Sequence, residues 1–283
     1  MESPDRPNSD RIIIEPRSSW GLLEWSELVR YRDVFIMLAW RDVSVRYKQT
    51  ALGLAWAVLR PLLLMVVFTV FLAPAVSDGE TATPYPLYAY AGLLLWTMFS
   101  SAITAASESV VGAERLITKV YFPRLFIPAA AAVPALIDFL VGSILLVGLM
   151  LWYRVPVGTS VLLSPLVAVA TYLLAVAAGS VLAAINVYYR DVRYIVPFFV
   201  QAGLFATPAI YLPAAVDHGG LRSWAEIANP MNGLVRSFRG SLISLSDGPS
   251  SSELAVAVAA VAVACPAGLV VFRRLEDQFS DLI

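Results

Sequence analysis

The sequence predicts an all-α membrane protein, a polytopic bundle of six transmembrane helices preceded by an amphipathic helix at the membrane interface. Apolar residues make up 59% of the 283 residues and charged residues only 14%, whereas a soluble globular domain carries about 25% charged residues. The apolar residues are gathered into runs long enough for a helix to cross the hydrocarbon core, which takes about 20 residues. The shortage of charge and the length of these runs favour the bilayer over water as the surrounding solvent.

Six apolar runs are predicted to span the membrane. In chain order they are 54–76, 85–112, 125–152, a stretch within 155–189, 195–216 and 254–272. Ala, Gly, Ser and Val outnumber Leu in several of these runs, and small residues allow membrane helices to approach one another closely. We therefore expect residues 51–283 to form one tightly packed transmembrane domain.

Lys and Arg are distributed unequally between the two sides that these spans define. Six spans place both termini on the same side, which holds 15 of the 20 Lys and Arg, while the opposite side holds four and Arg60 falls at a boundary. Loops rich in Lys and Arg stay in the cytoplasm. The sequence therefore predicts a multi-pass protein of the cytoplasmic (inner) membrane with both termini in the cytoplasm.

Three segments outside the spans have their own patterns. Residues 1–20 lack apolar periodicity and are predicted to be a mobile tail. In residues 21–50 apolar and charged side chains alternate with a helical period, as in an amphipathic interface helix. The outer connection 212–253 has apolar residues at helical spacing, and Asn229-Pro230 is typical of a helix boundary, which favours short re-entrant helices.

Motifs for catalysis and cofactor binding are missing from the sequence. There is neither a G-x-x-x-x-G-K-[ST] phosphate loop nor a dinucleotide fingerprint, so we do not expect this chain to hydrolyse ATP. The single histidine, His218, and the single cysteine, Cys265, offer no metal or catalytic cluster. A net charge of −1 gives no attraction for nucleic acid. The interpretation is a transport subunit without a cofactor, metal or catalytic residue of its own.

Ionisable residues inside the apolar runs are functional candidates, because charge in hydrocarbon is costly. Arg60, near the cytoplasmic end of the first span, can extend to a lipid headgroup or bind a phosphate with its forked guanidinium. Glu108 and Asp138 lie on consecutive spans at depths that differ by about two turns or more, so no direct pair between them is expected. Neither has a basic partner in the sequence pattern, and helix capping or helix–helix hydrogen bonds explain them more simply than a proton relay.

Four short stretches stand in a distinctive order and spacing. They are RYKQTALG at 46–53 with Arg60-Pro61 after it, LITKVYFPR at 116–124, NVYYRDV at 186–192, and Asn229-Pro230-Met231 followed by Phe238-Arg239. Together they resemble the permease subunits of type-2 ABC exporters of cell-surface polysaccharides, the family that exports O-antigen, teichoic acid, capsule and galactan chains. The resemblance extends from about residue 28 to residue 275.

The resemblance implies partners and substrate. The permease would be a homodimer driven by two copies of a separate ABC ATPase, which binds the ATP and Mg²⁺. The substrate would be a glycan on a polyprenyl diphosphate or a related lipid-linked polymer. The short helices of the outer connection would act as gate helices.

Candidate site residues follow from the resemblance and from the side-chain chemistry. Contacts that couple the permease to the ATPase are assigned to Glu114, Arg115, Lys119, Tyr121, Phe122, Arg124, Arg190 and Asp191. Binding of the lipid diphosphate headgroup is assigned to Arg46, Lys48 and Arg60. The glycan pathway is assigned to Trp56, Trp96 and Phe99, since aromatic faces stack on sugar rings, although packing is the commoner role of such residues.

Three other functions stay open. A type-2 permease for drugs or small lipids would have the same spans. An ion-coupled secondary transporter would give Glu108 and Asp138 a role, but no inverted repeat supports it. A membrane enzyme acting on lipid-linked sugars would need a cluster of acid, base or metal-binding residues at a membrane face, and the sequence does not indicate one.

Overall fold

In the residues that the computed structural model describes, all of the regular secondary structure is helical. Those residues are 29–48, 50, 52–76, 84–117, 122–207, 209, 228–243, 248–276 and 279. In chain order the helices are α1 Arg32–Tyr47, α2 Ala55–Val76, α3 Tyr85–Gly112, α4 Glu114–Ile117, α5 Phe126–Trp152, a 3-10 helix Thr159–Leu163, α6 Ser164–Tyr188, α7 Val192–Ala206, α8 Pro230–Ile243 and α9 Ser251–Glu276. The prediction of an all-α polytopic bundle is confirmed. The predicted tail 1–20 and the start of segment 21–50 lie outside the described residues.

Five of these helical segments are long and apolar enough to cross a bilayer. They are α2, α3, α5, α6 together with the 3-10 helix before it, and α9, with mean hydropathies between 1.3 and 2.5. Helices α2, α3 and α5 begin and end within one residue of the predicted spans 54–76, 85–112 and 125–152. Long apolar runs, each with a single charged residue, thus predicted both the type and the limits of these helices.

The predicted fifth span, 195–216, differs from the structure. Helix α7 begins earlier and ends at Ala206, because Thr207 takes an extended conformation with ψ 137°. Thr207 precedes Pro208 in the sequence, and a residue before proline avoids the helical region. With 15 residues at about 1.5 Å each, α7 is shorter than the hydrocarbon core of roughly 30 Å. Residues 208 and 210–216 lie outside the described part.

Helix α1 lies along the first half of α5. The rings of Phe35 and Phe126 are 5.4 Å apart near the start of both helices, and Tyr47 donates a 2.5 Å hydrogen bond to Asp138 near the end of α1. Between these contacts both helices advance 12 residues, from 35 to 47 and from 126 to 138, so they run side by side in the same direction. An interfacial position stays a prediction for the first turns of α1, whereas its last turn reaches the middle of α5.

Helix α3 is the central helix of the bundle and packs against α5 on one side and α6 on another. Most of its residues are buried. Close packing against α6 depends on Gly179, where a Cβ would lie 2.6 Å from the Cβ of Ala106. This agrees with the expectation that small residues allow close helix packing.

A cluster of buried apolar side chains joins the helix ends at one end of the bundle. This basal cluster consists of Leu38, Ala39, Val110, Ala113, Ile117, Phe122, Phe126, Ile127, Ala130, Ala183, Ala184, Val187, Phe272 and Phe279. It connects α1, the end of α3, the loop that contains α4, and the adjoining ends of α5, α6 and α9. The charge distribution predicts that this end faces the cytoplasm.

Candidate functional site

A cavity of about 1110 Å³ lies among α2, α3, α5 and α7 and reaches the last turn of α1. Its volume slightly exceeds that of small-molecule sites, which run to about 1,000 Å³. Four residues assigned from the sequence to the headgroup or the glycan pathway line it: Arg46, Arg60, Trp56 and Trp96. The fold therefore brings together residues that the sequence suggested separately.

A three-residue cluster forms the part of the cavity wall where α1 meets α5. The guanidinium of Arg46 lies 2.5 Å from Oδ2 of Asp138, and the hydroxyl of Tyr47 donates to Oδ1 of the same carboxylate at 2.5 Å. The expectation that Asp138 has no basic partner is wrong, since Arg46 supplies one from α1.

Arg60 and Lys48 differ in their relation to the cavity. Arg60 lines it from α2 with an exposed side chain, and the structure records no ion pair for it among the described residues. Lys48 is exposed and does not belong to the cavity wall. Of the three cations assigned to a headgroup, two therefore face the same cavity.

One face of α3 presents hydroxyl groups to the cavity. They belong to Thr97, Ser100, Ser101 and Thr104. Spacings of three and four residues place these side chains on one helix face. Thr97 donates its hydroxyl hydrogen to the carbonyl of Leu94 at 3.0 Å, and Ser100 donates to that of Thr97 at 3.1 Å. Their oxygens keep lone pairs that can accept hydrogen bonds from a molecule in the cavity.

The three aromatic candidates occupy different positions. Trp56 lines the cavity with 48% of its surface exposed, and Trp96 lines it from a buried position. Phe99 is not part of the wall; its ring packs 5.7 Å from that of Trp96. Phe99 thus supports the indole that faces the cavity.

The residues assigned to ATPase coupling lie at the end of the bundle that holds the basal cluster. Glu114 and Arg115 are exposed on α4, and Arg190 and Asp191 are exposed in the turn after α6. Phe122 is buried in the basal cluster, so its ring holds the loop rather than facing outward.

Three further coupling candidates remain, of which one stabilises this region and two lie outside the described residues. Arg124 donates a hydrogen bond to the backbone carbonyl of Glu276 at the end of α9. Lys119 and Tyr121 lie outside the described residues. The exposed side chains of Glu114 and Arg115 are therefore presented by a loop that is anchored to the basal cluster and to α9.

The opposite end of the bundle is covered by α8, which begins at Pro230 as the sequence predicted. Asn229 accepts a hydrogen bond from the backbone N–H of Met231 at 3.0 Å, the pattern of an N-cap. Arg239 of α8 is buried and lies 3.7 Å over the ring of Tyr88 on α3. Only a glycine fits at position 92, because a Cβ there would overlap the Arg239 guanidinium.

A shared carboxylate also fastens α8 to α9. Arg236 donates to both carboxylate oxygens of Glu253 at 2.8 Å. Glu253 accepts from the backbone N–H of Ser250 at 2.7 Å, and its own N–H donates to the Ser250 hydroxyl at 3.2 Å. This reciprocal arrangement is a capping box at the start of α9.

Sequence reasoning missed the pairing of Asp138 with α1 and the hydroxyl face of α3. The hydroxyl face had a signal, namely four Ser or Thr residues at helical spacing inside an apolar run. The Asp138 contact had none, because the two helices are far apart in the chain. Among the residues that the structure describes, no three His, Cys, Asp or Glu side chains come together as a metal site would require.

The sequence is similar to known transport proteins. Residues 33–243 match the family model of the ABC-2 type transporter. The chain is 30% identical over 258 residues to the O-antigen export system permease protein RfbA of Myxococcus xanthus. This alignment covers 91% of this chain and 98% of that protein. It is 23% identical over 252 residues to an O-antigen export system permease protein RfbA of Klebsiella pneumoniae. This alignment covers 89% of this chain and 95% of that protein. The chain belongs to the ABC-2 type transporter family.

Proposed function

We propose that this chain is the transmembrane permease subunit of an ATP-driven exporter that moves a polysaccharide, carried on a lipid diphosphate, across the cytoplasmic membrane. The observation that carries the proposal is the composition of one cavity. Guanidinium groups of Arg46 and Arg60 face it, and hydroxyl and indole groups line its wall. The RfbA relatives are named as permeases of O-antigen export systems, which supports a glycan as the cargo.

The cations suit a diphosphate headgroup. Guanidinium groups bind phosphate oxygens through paired charge-assisted hydrogen bonds, which are roughly twice as strong as neutral ones. Arg46 and Arg60 come from separate helices, α1 and α2, and face the same space. Two such groups around one cavity match the two phosphates of the headgroup better than they match an uncharged drug.

The remaining wall suits a glycan. A sugar ring offers hydroxyl groups around its edge and apolar C–H groups on its faces. The hydroxyl face of α3 accepts hydrogen bonds from the edge, and the indoles of Trp56 and Trp96 pack against the faces. Neutral contacts of this kind hold each sugar weakly, as a polymer that must move through the site requires.

Two copies of the chain and two ATPase subunits would form the exporter. Helices α2 and α7 flank the cavity and leave large apolar side chains exposed, among them Phe71 at 73% and Phe198 at 67%. A second copy that covers these faces would enclose the cavity. The exposed charges of Glu114 and Arg115 on α4 suit a cleft in a partner ATPase, which would bind ATP and Mg²⁺.

The proposed cycle starts with the lipid diphosphate entering from the cytoplasmic leaflet near Arg46 and Arg60. ATP binding closes the two ATPase subunits, and the loops at 114–124 transmit that movement to the basal cluster. The permease dimer then opens a path between its halves, and the glycan follows the headgroup. Helix α8 acts as a gate at the opposite end of the bundle.

Depletion of the protein in its host tests the proposal. Lipid-linked glycans would be measured by mass spectrometry in separate cytoplasmic and surface pools. We expect one polyprenyl diphosphate polymer to accumulate inside the cell and to decrease at the surface. An unchanged glycan profile would contradict the proposal and leave a type-2 permease for drugs or small lipids as the next candidate. An ion-coupled carrier is less well supported, because Asp138 is already engaged by Arg46 and Tyr47.

A further inference from the structure

The contact between Arg46 and Asp138 joins a cation proposed to bind the headgroup to a carboxylate of the protein itself. Both side chains line the cavity, and 35% and 19% of their respective surfaces remain exposed. The contact is therefore within reach of a molecule that enters the cavity. A carboxylate in this position occupies the same donors that a phosphate oxygen would use.

We propose that Asp138 is an internal competitor for the lipid diphosphate. In the empty site its carboxylate holds Arg46, and the incoming diphosphate displaces it and takes over the guanidinium. This inference rests on the proposed headgroup role of Arg46. It assigns to Asp138 a specificity-determining role that is separate from helix capping and from proton transport.

The exchange favours headgroups of high negative charge. A diphosphate carries more charge and more acceptor oxygens than a single carboxylate, so its interactions with Arg46 can replace the ion pair that Arg46 loses with Asp138. A neutral lipid offers no such compensation and leaves the carboxylate in place. Asp138 thereby sets a threshold of charge that a lipid must exceed before it engages the site.

The exchange also has a mechanical consequence for α1. Asp138 accepts from both Arg46 and Tyr47, so a single carboxylate fastens the last turn of α1 to the middle of α5. Loss of these contacts frees that turn. The middle of α1 belongs to the basal cluster, through Leu38 and Ala39, together with Phe122 of the loop at 114–124. Headgroup binding is thus linked through α1 to the loop that we assign to the ATPase.

Binding of farnesyl diphosphate to the full chain in lipid nanodiscs tests the exchange. Variants Asp138→Asn and Tyr47→Phe weaken the competitor, and Tyr47→Phe does so while both charges stay in place. We expect Asp138→Asn to raise the affinity for farnesyl diphosphate about two- to fivefold, the range of an ion pair that stays in contact with solvent, and Tyr47→Phe to raise it less. Farnesol should bind equally weakly to all three proteins.

Hydrogen–deuterium exchange of residues 36–47 distinguishes displacement from simple charge repulsion. In the wild-type chain farnesyl diphosphate should increase exchange in this segment. In Asp138→Asn exchange should already be high without ligand and should not rise further. Glu108→Gln, which removes an exposed carboxylate outside the cavity wall, should match the wild type in both measurements.

Three results would overturn the inference. They are an affinity that Asp138→Asn leaves unchanged or lowers, an α1 segment whose exchange does not respond to farnesyl diphosphate in the wild type, and a wild-type chain that does not bind the probe. The third result would also remove the headgroup role, whereas the first two would leave it intact. Glycan export is measured separately by the depletion experiment, so the two proposals fail independently.

Discussion

Arg60 and Arg46 face the same cavity but differ in their ion pairing. Arg46 is held by Asp138, whereas no ion pair of Arg60 is recorded in the described part of the chain, and its side chain is exposed. A cation without a fixed carboxylate is ready to receive an incoming anion without first losing a contact. This difference gives the two arginines separate steps in the proposed cycle, with Arg60 the first contact of the headgroup.

Replacement of Arg60 by Ala tests that role. Hydrogen bonds to charged groups contribute about 1.5–3 kcal/mol, so we expect the affinity for farnesyl diphosphate to fall about tenfold or more and glycan export to fall with it. Arg60→Lys should retain part of both, because lysine keeps the charge and loses the forked geometry. Binding is measured in nanodiscs and export by the surface glycan pool.

Arg32→Ala is the matched control for Arg60, since Arg32 is an exposed arginine of α1 outside the cavity wall. It should leave affinity and export unchanged. Normal export and normal affinity in Arg60→Ala would mean that this guanidinium only extends to a lipid headgroup at the membrane surface.

At the scale of elements, α8 depends on one carboxylate for its attachment to α9. Only 7% of the Glu253 side chain is exposed. Its carboxylate forms an ion pair with Arg236 and accepts hydrogen bonds from the backbone N–H and the hydroxyl of Ser250. Removal of one partner of a buried ion pair costs about 3–5 kcal/mol, because the other charge stays behind without compensation. The start of α9 and the position of α8 are therefore linked through the same group.

We expect Glu253→Gln to lower the midpoint of thermal unfolding of the detergent-solubilised chain by several degrees. The neutral glutamine cannot form an ion pair with Arg236, and its single acceptor oxygen replaces the two carboxylate oxygens that Arg236 and Ser250 share. Glu108→Gln removes an exposed carboxylate from α3 and should leave the midpoint unchanged. Equal midpoints for Glu253→Gln and the wild type would show that α8 is held mainly by its apolar contacts and by Arg239.

Sequence patterns predicted the long helices well and the contacts between distant helices poorly. The limits of α2, α3 and α5 follow from apolar runs, and the start of α8 follows from Asn229-Pro230. The end of α7 was predictable too, since Pro208 follows Thr207, but the apolar run across that proline favoured a longer span. The contact of Arg46 with Asp138 depends on how α1 lies along α5, and no local pattern contains that information.

At the scale of the whole molecule, the basal cluster joins the segments through which force from an ATPase would pass. It contains Phe122 of the 114–124 loop and Leu38 of α1. Closely packed apolar side chains transmit displacement, because close-packed interiors have low compressibility. The exposed residues of α4 are then the ones available to touch a partner, while the buried ones carry the movement.

Exchange of the two charges on α4, in the double variant Glu114→Arg and Arg115→Glu, separates these roles. Both residues are exposed, and interactions between exposed charges contribute only about 0–1 kcal/mol, so we expect the thermal midpoint to change little. Export should fall about tenfold, equivalent to a loss of about 1.4 kcal/mol of interaction with the ATPase, and ATP hydrolysis should no longer respond to the lipid-linked substrate.

The matched control for α4 exchanges another pair of adjacent opposite charges, Arg32→Asp with Asp33→Arg, both of which are exposed on α1. It should leave export and stimulated hydrolysis at the wild-type level. Unchanged export in the α4 variant would rule out α4 as a contact for the ATPase.

The apolar faces of α2 and α7 decide whether a second copy completes the cavity. Lipid would cover every exposed apolar surface alike, including Ile144 on α5, which is 72% exposed. A two-fold partner would instead cover one continuous face that includes α2 and α7 on either side of the cavity. Cysteine cross-linking in native membranes separates these cases, because the chain has one cysteine, Cys265, that Cys265→Ser removes.

In that background we expect Phe71→Cys or Phe198→Cys to give a cross-linked dimer on oxidation, since identical residues near a two-fold axis approach each other. Ile144→Cys, equally exposed but on α5 and outside the cavity wall, should stay monomeric under the same conditions. Cross-linking of all three to the same extent would reflect random collision in the membrane. Cross-linking of Ile144→Cys alone would place the partner on α5, and the cavity would then open to lipid between α2 and α7 rather than to a second permease subunit.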